Sequence, residues 1–322
     1  MTILLLALAF LAGLVLPRLL PWALSRCAGR PSKELYEDAD ALVLNLDLER
    51  PRTSWFNMGW WKRGGEESFP EAAEEHCRQV ALAAQLKPGQ RVLEVGYGSG
   101  DSALFLAREF SPSSYTGLTS LPAQHALATR RAQEANLDSS SFRLLQGDAA
   151  TDLPSLGLEP GTIDAILAVD CAYHFSPRSC FLSSALPLLT PSTGRLALSD
   201  LLLPPTPLSL LDRLLLRLIC LAAHLPFHNL HTPASYEAHL RALGYVDVEI
   251  QDISLEVWPG FLRFVERREA AVGGVLSEKV WGGLKMYARV VRWYSGVGGG
   301  RQRLRYCLVS ARRGGDAAEG KQ

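Results

Sequence analysis

Residues 91–101 read RVLEVGYGSGD, and this stretch is the one around which the rest of the 322-residue chain is organised. Residues 91–95, with Val92, Leu93 and Val95 as their apolar members, predict a short buried strand, and the glycines that follow predict a turn into a helix near Ser102. Because glycine has no side chain, such a turn can adopt positive φ angles and lie against a bound ligand. The stretch therefore predicts a strand–turn–helix unit with a ligand at the turn.

The spacing of the glycines distinguishes between two classes of ligand. A dinucleotide-binding turn has the pattern G-x-G-x-x-G, in which the third glycine packs the helix against the strand. Here Asp101 occupies the third-glycine position, and Glu94 precedes the glycines. A pyrophosphate prefers backbone N–H groups, whereas a carboxylate suits a cationic amino group. The turn thus disfavours an NAD(P)-dependent oxidoreductase and favours a ligand with an amino group.

The pattern V-L-E-V-G-x-G-x-G resembles motif I of class I S-adenosylmethionine (SAM)-dependent methyltransferases, and the resemblance extends over residues 36–312. In the small-molecule branch (sterol, tocopherol and cyclopropane types), a segment similar to FNMGWW at 56–61 covers the cofactor. That branch also has a G-[IV]-[TS]-x-S-x-x-Q run, matched here by Gly117, Thr119 and Gln124, with Leu121 replacing the serine. Thr119 stands where the wider family has an acid for the ribose. The resemblance implies these cofactor contacts: Glu94, Gly96, Tyr97, Gly98, Gly100, Thr119, Gln124, Asp148, Ala149 and Asp170.

Alternating apolar strands and helices after the turn predict an α/β, Rossmann-like fold with a seven-stranded, mostly parallel sheet and helices on both faces. Ligands of such sheets bind outside the carboxyl ends of the strands, where the candidate residues lie. For Asp148 a helix N-cap is the alternative role. The strands are predicted at 91–95, 114–119, 141–146, 163–169, 194–200, 245–253 and 304–311. The helices are predicted at 71–86, 102–109, 122–135, 181–189, 208–223, 234–243 and 280–294.

The segment VDCAYHF at 169–175 resembles the run that lies beside the transferable methyl in small-molecule methyltransferases. In similar sugar O-methyltransferases a histidine here is the general base, which implies that role for His174, with support from Asp200. A neutral histidine near pH 7 can take a hydroxyl proton. Alternatively, His174 only binds substrate and Asp200 only caps its strand. His228 and His231 are alternative bases.

Residues 204–231 interrupt the alternation of strands and helices, and they predict a helical lid over the acceptor. The part 208–223 is apolar with few charges, which favours a lipid-like acceptor or contact with a bilayer surface. A helix packed against the core has the same pattern, so periodicity leaves both interpretations open.

The N-terminal apolar run at 3–16 continues, interrupted by Arg18, to residue 24. Nothing basic precedes the run, whereas Arg18, Arg26, Arg30 and Lys33 lie within or after it. By the positive-inside tendency this predicts a single-pass anchor with the enzyme in the cytosol, at the endoplasmic reticulum in a eukaryote. A cleaved signal peptide or an interfacial helix remains the alternative. The predicted organisation is an anchor at 1–30, a cap region at 31–90, the methyltransferase domain at 91–313 and a disordered tail at 314–322.

The charge balance and the cysteine content argue against a nucleic-acid partner and against a metal site. The 33 basic and 33 acidic residues balance, so no nucleic-acid partner is expected. The six cysteines form no C-x-x-C and no metal-like cluster, so we expect no metal and a reducing compartment. The sequence thus predicts a SAM-dependent methyltransferase that acts on a small, hydrophobic acceptor by SN2 transfer. Its rivals are an NAD(P)-dependent oxidoreductase and a non-catalytic SAM-binding scaffold.

Overall fold

A computed structural model describes residues 53–62, 65–272 and 278–315. The predicted anchor at 1–30, the part of the cap region at 31–52 and the tail from residue 316 lie outside these ranges. Within them, no helix combines the length and the hydropathy that crossing a membrane requires.

The described chain forms one seven-stranded sheet in the order β3-β2-β1-β4-β5-β7-β6. Strands β1 to β5 pair in parallel, whereas β7 runs antiparallel to both of its neighbours, β5 and β6. The predicted mostly parallel sheet is therefore confirmed. The strands are β1 (Arg91–Val95), β2 (Ser114–Thr119), β3 (Phe142–Gln146), β4 (Ala165–Ala168), β5 (Arg195–Leu202), β6 (Tyr245–Asp252) and β7 (Arg305–Arg313).

Helices cover both faces of this sheet, as predicted. Side chains of β1 alternate between two apolar clusters: Val92 lies in one, and Leu93 and Val95 lie in the other. The first cluster includes α1, α2, α7 and α8, and the second includes α4 and α6. The helices are α1 (Phe69–Ala83), α2 (Asp101–Phe110), α3 (Pro122–Glu134), α4 (Arg178–Ala185), α5 (Leu210–Ala222), α6 (Pro233–Leu243), α7 (Ser254–Val272) and α8 (Glu278–Ser295).

Local capping explains where several helices begin. Ser68 caps α1 and forms a reciprocal capping box with Glu71, while Thr232 forms one with Ser235 ahead of α6. Ser209 accepts a hydrogen bond from the amide of Asp212 and so begins α5.

Helix α7 is the largest element that the sequence did not predict. Its buried residues Val257, Trp258, Phe261 and Val265 recur at helical spacing. However, the Pro259-Gly260 pair in its second turn is a typical helix-breaking signal. Burial of this apolar face against the sheet outweighs the local cost of the proline.

Candidate active site

The glycine turn after β1 combines two structural glycines with one that faces open space. Gly96, Gly98 and Gly100 all have positive φ, at 82°, 57° and 90°. A Cβ at Gly96 would collide with the Cys171 side chain, and one at Gly100 would lie 2.8 Å from the Cβ of Ala128. A Cβ at Gly98 would lie more than 4 Å from every described atom outside its immediate chain neighbours. The turn therefore offers a backbone cradle at Gly98.

The carboxylate of Glu94 is fully buried beside this turn and only partly satisfied. One oxygen accepts a hydrogen bond of 2.5 Å from the Tyr115 hydroxyl, and the other has no hydrogen-bond partner among the described residues. Burial raises the Glu94 pKa to about 7, against the hydrogen bond from Tyr115, which lowers it. An ammonium group near the free oxygen would compensate the buried charge.

Asp101, at the third-glycine position, connects the turn to the segment before α1. Its carboxylate forms a bidentate ion pair with Arg131 at 2.5 and 2.8 Å and accepts a hydrogen bond of 3.0 Å from the Ser54 amide. We call residues 53–62 the cap segment. Asp101 therefore holds the cap segment and Arg131 in place and does not serve as a ligand contact.

Asp170, two residues after the end of β4, holds the cap segment at a second point. It has a positive φ of 55° and accepts hydrogen bonds from the Met58 amide (2.7 Å), the Tyr173 hydroxyl (2.6 Å) and the Tyr306 hydroxyl. Burial raises the pKa of Asp170 to about 6, while these hydrogen bonds oppose the shift. Sequence reasoning gave no role to Tyr306, because it lies on β7, 136 positions away, without any local motif.

The remaining predicted cofactor residues lie at the carboxyl ends of β1, β2 and β3, except Gln124, which lies in the first turn of α3. The buried Thr119 donates a long hydrogen bond of 3.4 Å to Gln124. The Tyr97 hydroxyl contacts the His125 ring (2.7 Å) and the Leu145 carbonyl (3.2 Å), so its phenol binds protein. Asp148 is exposed and accepts a 2.7 Å hydrogen bond from the amide of Ala150, and Ala149 is buried beside it. Asp148 therefore makes an Asx-type turn and caps no α-helix. The contacts of these residues with SAM stay a prediction.

Asp200 does not make the predicted supporting contact with His174. Among the described residues no hydrogen bond joins the two side chains. The Asp200 carboxylate is fully buried, forms an ion pair with Arg178 and accepts a 3.0 Å hydrogen bond from the Tyr236 hydroxyl. Burial raises the pKa of Asp200, and Arg178 and Tyr236 oppose the shift. Asp200 is a structural acid here, because a buried guanidinium outcompetes a neutral imidazole for its charge.

His174 lies beside His224, which follows α5. It lies in the one-turn helix Ala172–His174, and burial lowers its pKa to about 4, although a hydrogen bond to the backbone of His224 favours the charged form. The imidazole is therefore neutral near pH 7. A neutral imidazole has one ring nitrogen that can accept a proton.

A cleft of ≈ 390 Å³ opens beside α5, after the carboxyl end of β5. Its walls are largely apolar, with Arg213 and Arg217 as the charged side chains in the lining. The lining residues are Leu203, Pro204, Pro205, Thr206, Pro207, Leu208, Arg213, Arg217, Phe227 and Thr232.

Comparisons with known proteins identify the family. A family model described as "Methyltransferase domain" matches residues 92–192. The erythromycin 3''-O-methyltransferase of Saccharopolyspora erythraea is 30% identical over 272 residues, which cover 81% of this chain and 84% of that protein. The chain therefore belongs to the class I SAM-dependent methyltransferases. It is an enzyme that uses SAM to methylate a small molecule.

Two solved structures share the fold. The cyclopropane synthase MmaA2 from Mycobacterium tuberculosis has a TM-score of 0.64 at 19% identity and covers 86% of this chain and 95% of its own. The geranyl diphosphate C-methyltransferase from Streptomyces coelicolor A3(2), in complex with Mg²⁺, geranyl diphosphate and S-adenosyl-L-homocysteine, has a TM-score of 0.61 at 16% identity. It covers 88% of this chain and 98% of its own.

The residues at the turn fit SAM. Gly98 leaves space for a ligand, and the free oxygen of Glu94 can accept from the amino group of its methionine moiety. Asp101 departs from the third glycine of a dinucleotide-binding turn, whereas Thr119 departs also from the acid that the wider SAM-dependent family has for the ribose.

Proposed function

We propose that this enzyme methylates a hydroxyl oxygen of a small, hydrophobic acceptor, with His174 as the general base. The observation that carries the proposal is the position of His174 in the one-turn helix that follows β4, where burial lowers its pKa to about 4 and so favours a neutral imidazole. The similar Saccharopolyspora protein is by name an O-methyltransferase, which supports oxygen as the acceptor atom.

The chain's own residues would divide the work as follows. Glu94 and the backbone around Gly98 bind the amino-acid end of SAM, which supplies an activated methyl group on a sulfonium. His174 accepts the hydroxyl proton at its free ring nitrogen while the oxygen forms its bond to the methyl carbon and the carbon–sulfur bond breaks. Asp200 has no part in this step, because its carboxylate is paired with Arg178. Positioning of the acceptor supplies much of the rate, because the donor is already activated.

The apolar cleft beside α5 supports a hydrophobic acceptor. Its proline and leucine walls have few hydrogen-bonding groups, so affinity there would come from buried apolar area. In this proposal α5 and the neighbouring loops act as the lid that covers the bound acceptor.

The test is methyl transfer from labelled SAM into lipid and polyketide extracts, followed by identification of the methylated atom by NMR. His174→Gln should lower kcat by about 10²- to 10⁴-fold while calorimetry shows unchanged S-adenosylhomocysteine binding. The wild-type kcat should stay flat from pH 6 to 8, because the His174 pKa is about 4. A methyl group on carbon, or full activity of His174→Gln, would overturn the proposal.

We also propose that the apolar run at 3–24 anchors the chain in a membrane, with the catalytic domain in the cytosol. The run itself and the basic residues within and after it support this. Resistance of the full chain to alkaline carbonate extraction, with a protease-sensitive catalytic domain in sealed vesicles, is the expected result. Release by carbonate would refute the anchor, and protease protection would refute the orientation.

A further inference from the structure

Helix α5 has two unlike faces, and the outward one is the more apolar. Asp212, Leu216 and Cys220 are buried at i, i+4 and i+8 spacing. Six leucines on the rest of the helix are exposed: Leu210 (86%), Leu221 (76%), Leu214 (54%), Leu218 (54%), Leu211 (51%) and Leu215 (37%). This reverses the usual surface helix, whose polar face points to solvent. We call these six residues the leucine face.

The most exposed leucines form one continuous strip. At 3.6 residues per turn, Leu210, Leu214, Leu218 and Leu221 fall within an arc of about 80° opposite the buried residues. A contiguous exposed apolar strip of this kind marks a contact surface.

The charges beside the leucine face have one sign. Arg213 and Arg217 are exposed, lie one turn apart along one edge of the strip, and form no ion pair with a described residue. Arg217 also lies over the Phe227 ring, 5.0 Å from its centroid. The single acid of α5, Asp212, is buried and paired with Arg303 (2.6 Å) and Arg301 (3.8 Å). The accessible surface of α5 therefore offers two cations and no anion.

This charge pattern separates the occupants that could cover the leucine face. A second copy of α5 would bring two more arginines and no free carboxylate. The apolar N-terminal segment of the same chain offers none either, because residues 1–33 contain no Asp or Glu. The phosphate and carboxylate groups of anionic lipids supply the missing negative charge, and the bilayer interior accepts the leucines.

We propose that α5 docks on an anionic bilayer surface, with the leucine face in the acyl–headgroup boundary and Arg213 and Arg217 among the headgroups. With 13 residues the helix is too short to span a bilayer, which takes about 20, so it lies in the plane of the surface. Such docking places the cleft beside α5 next to the lipid phase. The inference stands independently of the acceptor and of the methylated atom.

The test is hydroxyl-radical footprinting of the full-length protein, which reports the exposure of individual leucines, with and without vesicles. Vesicles of phosphatidylcholine with one-fifth phosphatidylserine should reduce oxidation of the α5 leucines at least fivefold. Pure phosphatidylcholine should protect them less, and Arg213→Gln with Arg217→Gln should remove that difference between the lipids.

A matched pair of variants isolates the leucine face. Leu214 and Leu82 are similarly exposed, at 54% and 51%, but Leu82 lies on α1. Leu214→Glu should abolish vesicle protection of the remaining α5 leucines, whereas Leu82→Glu should leave it intact. Both should keep S-adenosylhomocysteine binding, which shows that they fold.

Each other outcome overturns the proposal in a distinguishable way. Leucines that are protected without vesicles at every protein concentration would identify another part of this chain as the cover. Protection that grows with protein concentration would identify a second copy. If the protein floats with the vesicles but its α5 leucines are oxidised as strongly as without them, another part of the protein binds the membrane. If Leu82→Glu also abolished the protection of the α5 leucines by vesicles, the effect of Leu214→Glu would not be specific to the leucine face.

Discussion

Arg178 and Asp200 form an ion pair inside the protein, with side chains only 2% and 0% exposed. Arg178 also donates to the Asn229 carbonyl and lies over the Tyr236 ring, 4.2 Å from its centroid. Asn229 in turn donates to the carbonyls of Tyr173 and Phe175, so the pair holds the segment that carries His174.

Removal of one partner of this pair should destabilise the fold rather than alter proton transfer. Arg178→Met leaves a buried, uncompensated carboxylate, and we expect a loss of about 3–5 kcal/mol in the free energy of unfolding, measured by urea denaturation. The double variant Arg178→Met, Asp200→Leu should recover most of that loss. If Asp200→Asn kept full stability but lost kcat with a changed pH profile, Asp200 would be a catalytic support after all.

Substitution at Gly98 should remove cofactor binding with little change in packing. Gly98→Val places a branched side chain in the open space at the turn, and we expect calorimetry to show at least a tenfold loss of S-adenosylhomocysteine affinity. Gly89 is the matched control, because it also has positive φ (81°) and open space but lies before β1, at the opposite edge of the sheet. Gly89→Val should show similar backbone strain and normal affinity. Unchanged binding in Gly98→Val would mean that the cofactor lies elsewhere.

The affinity for S-adenosylhomocysteine should rise with pH through about 7. The ligand's ammonium favours the ionised form of Glu94, whose pKa in the free protein is raised to about 7, so below that value binding must first remove a proton. Between pH 5 and 7, Kd should fall by up to about tenfold for each pH unit, and above pH 7 it should become constant. Glu94→Gln should bind more weakly and with a flat profile. A wild-type profile without slope would show that Glu94 does not face the amino group.

His76 on α1 should make the fold sensitive to acid. It is fully buried, neither ring nitrogen has a hydrogen-bond partner in the described chain, and burial lowers its pKa to about 3. Below pH 6.5 the unfolded chain binds a proton that the folded chain does not, so stability falls as the pH falls from 6.5 toward 3.

Replacement of this histidine by an apolar residue should remove that dependence. The free energy of unfolding of His76→Leu minus that of wild type should be on the order of 2 kcal/mol larger at pH 5 than at pH 8. Urea denaturation at the two pH values measures both differences. An equal effect at both pH values would contradict a neutral, unpartnered His76.

Local chemistry made much of the fold predictable. Strands β1 and β2 begin and end at the predicted residues, since short apolar runs bounded by glycine, proline and polar residues leave little freedom in register. The glycine turn was equally clear, because the requirement for positive φ and the displaced third glycine are both properties of adjacent residues. Helix α7 was missed because local helix-breaking residues hid a face whose stability depends on the sheet beneath it.

The sequence by itself determined the strand–turn–helix unit and, through Glu94 and Asp101, the kind of cofactor that the turn accepts. Tertiary structure decided which partner each acid takes. Asp200 binds Arg178 rather than His174, Asp101 binds Arg131 and the cap segment, and Asp170 gathers hydroxyls from Tyr173 and Tyr306. The physical reason is burial: a carboxylate removed from water must be compensated by whichever donors the fold brings within reach, and those donors lie up to 136 positions away along the chain.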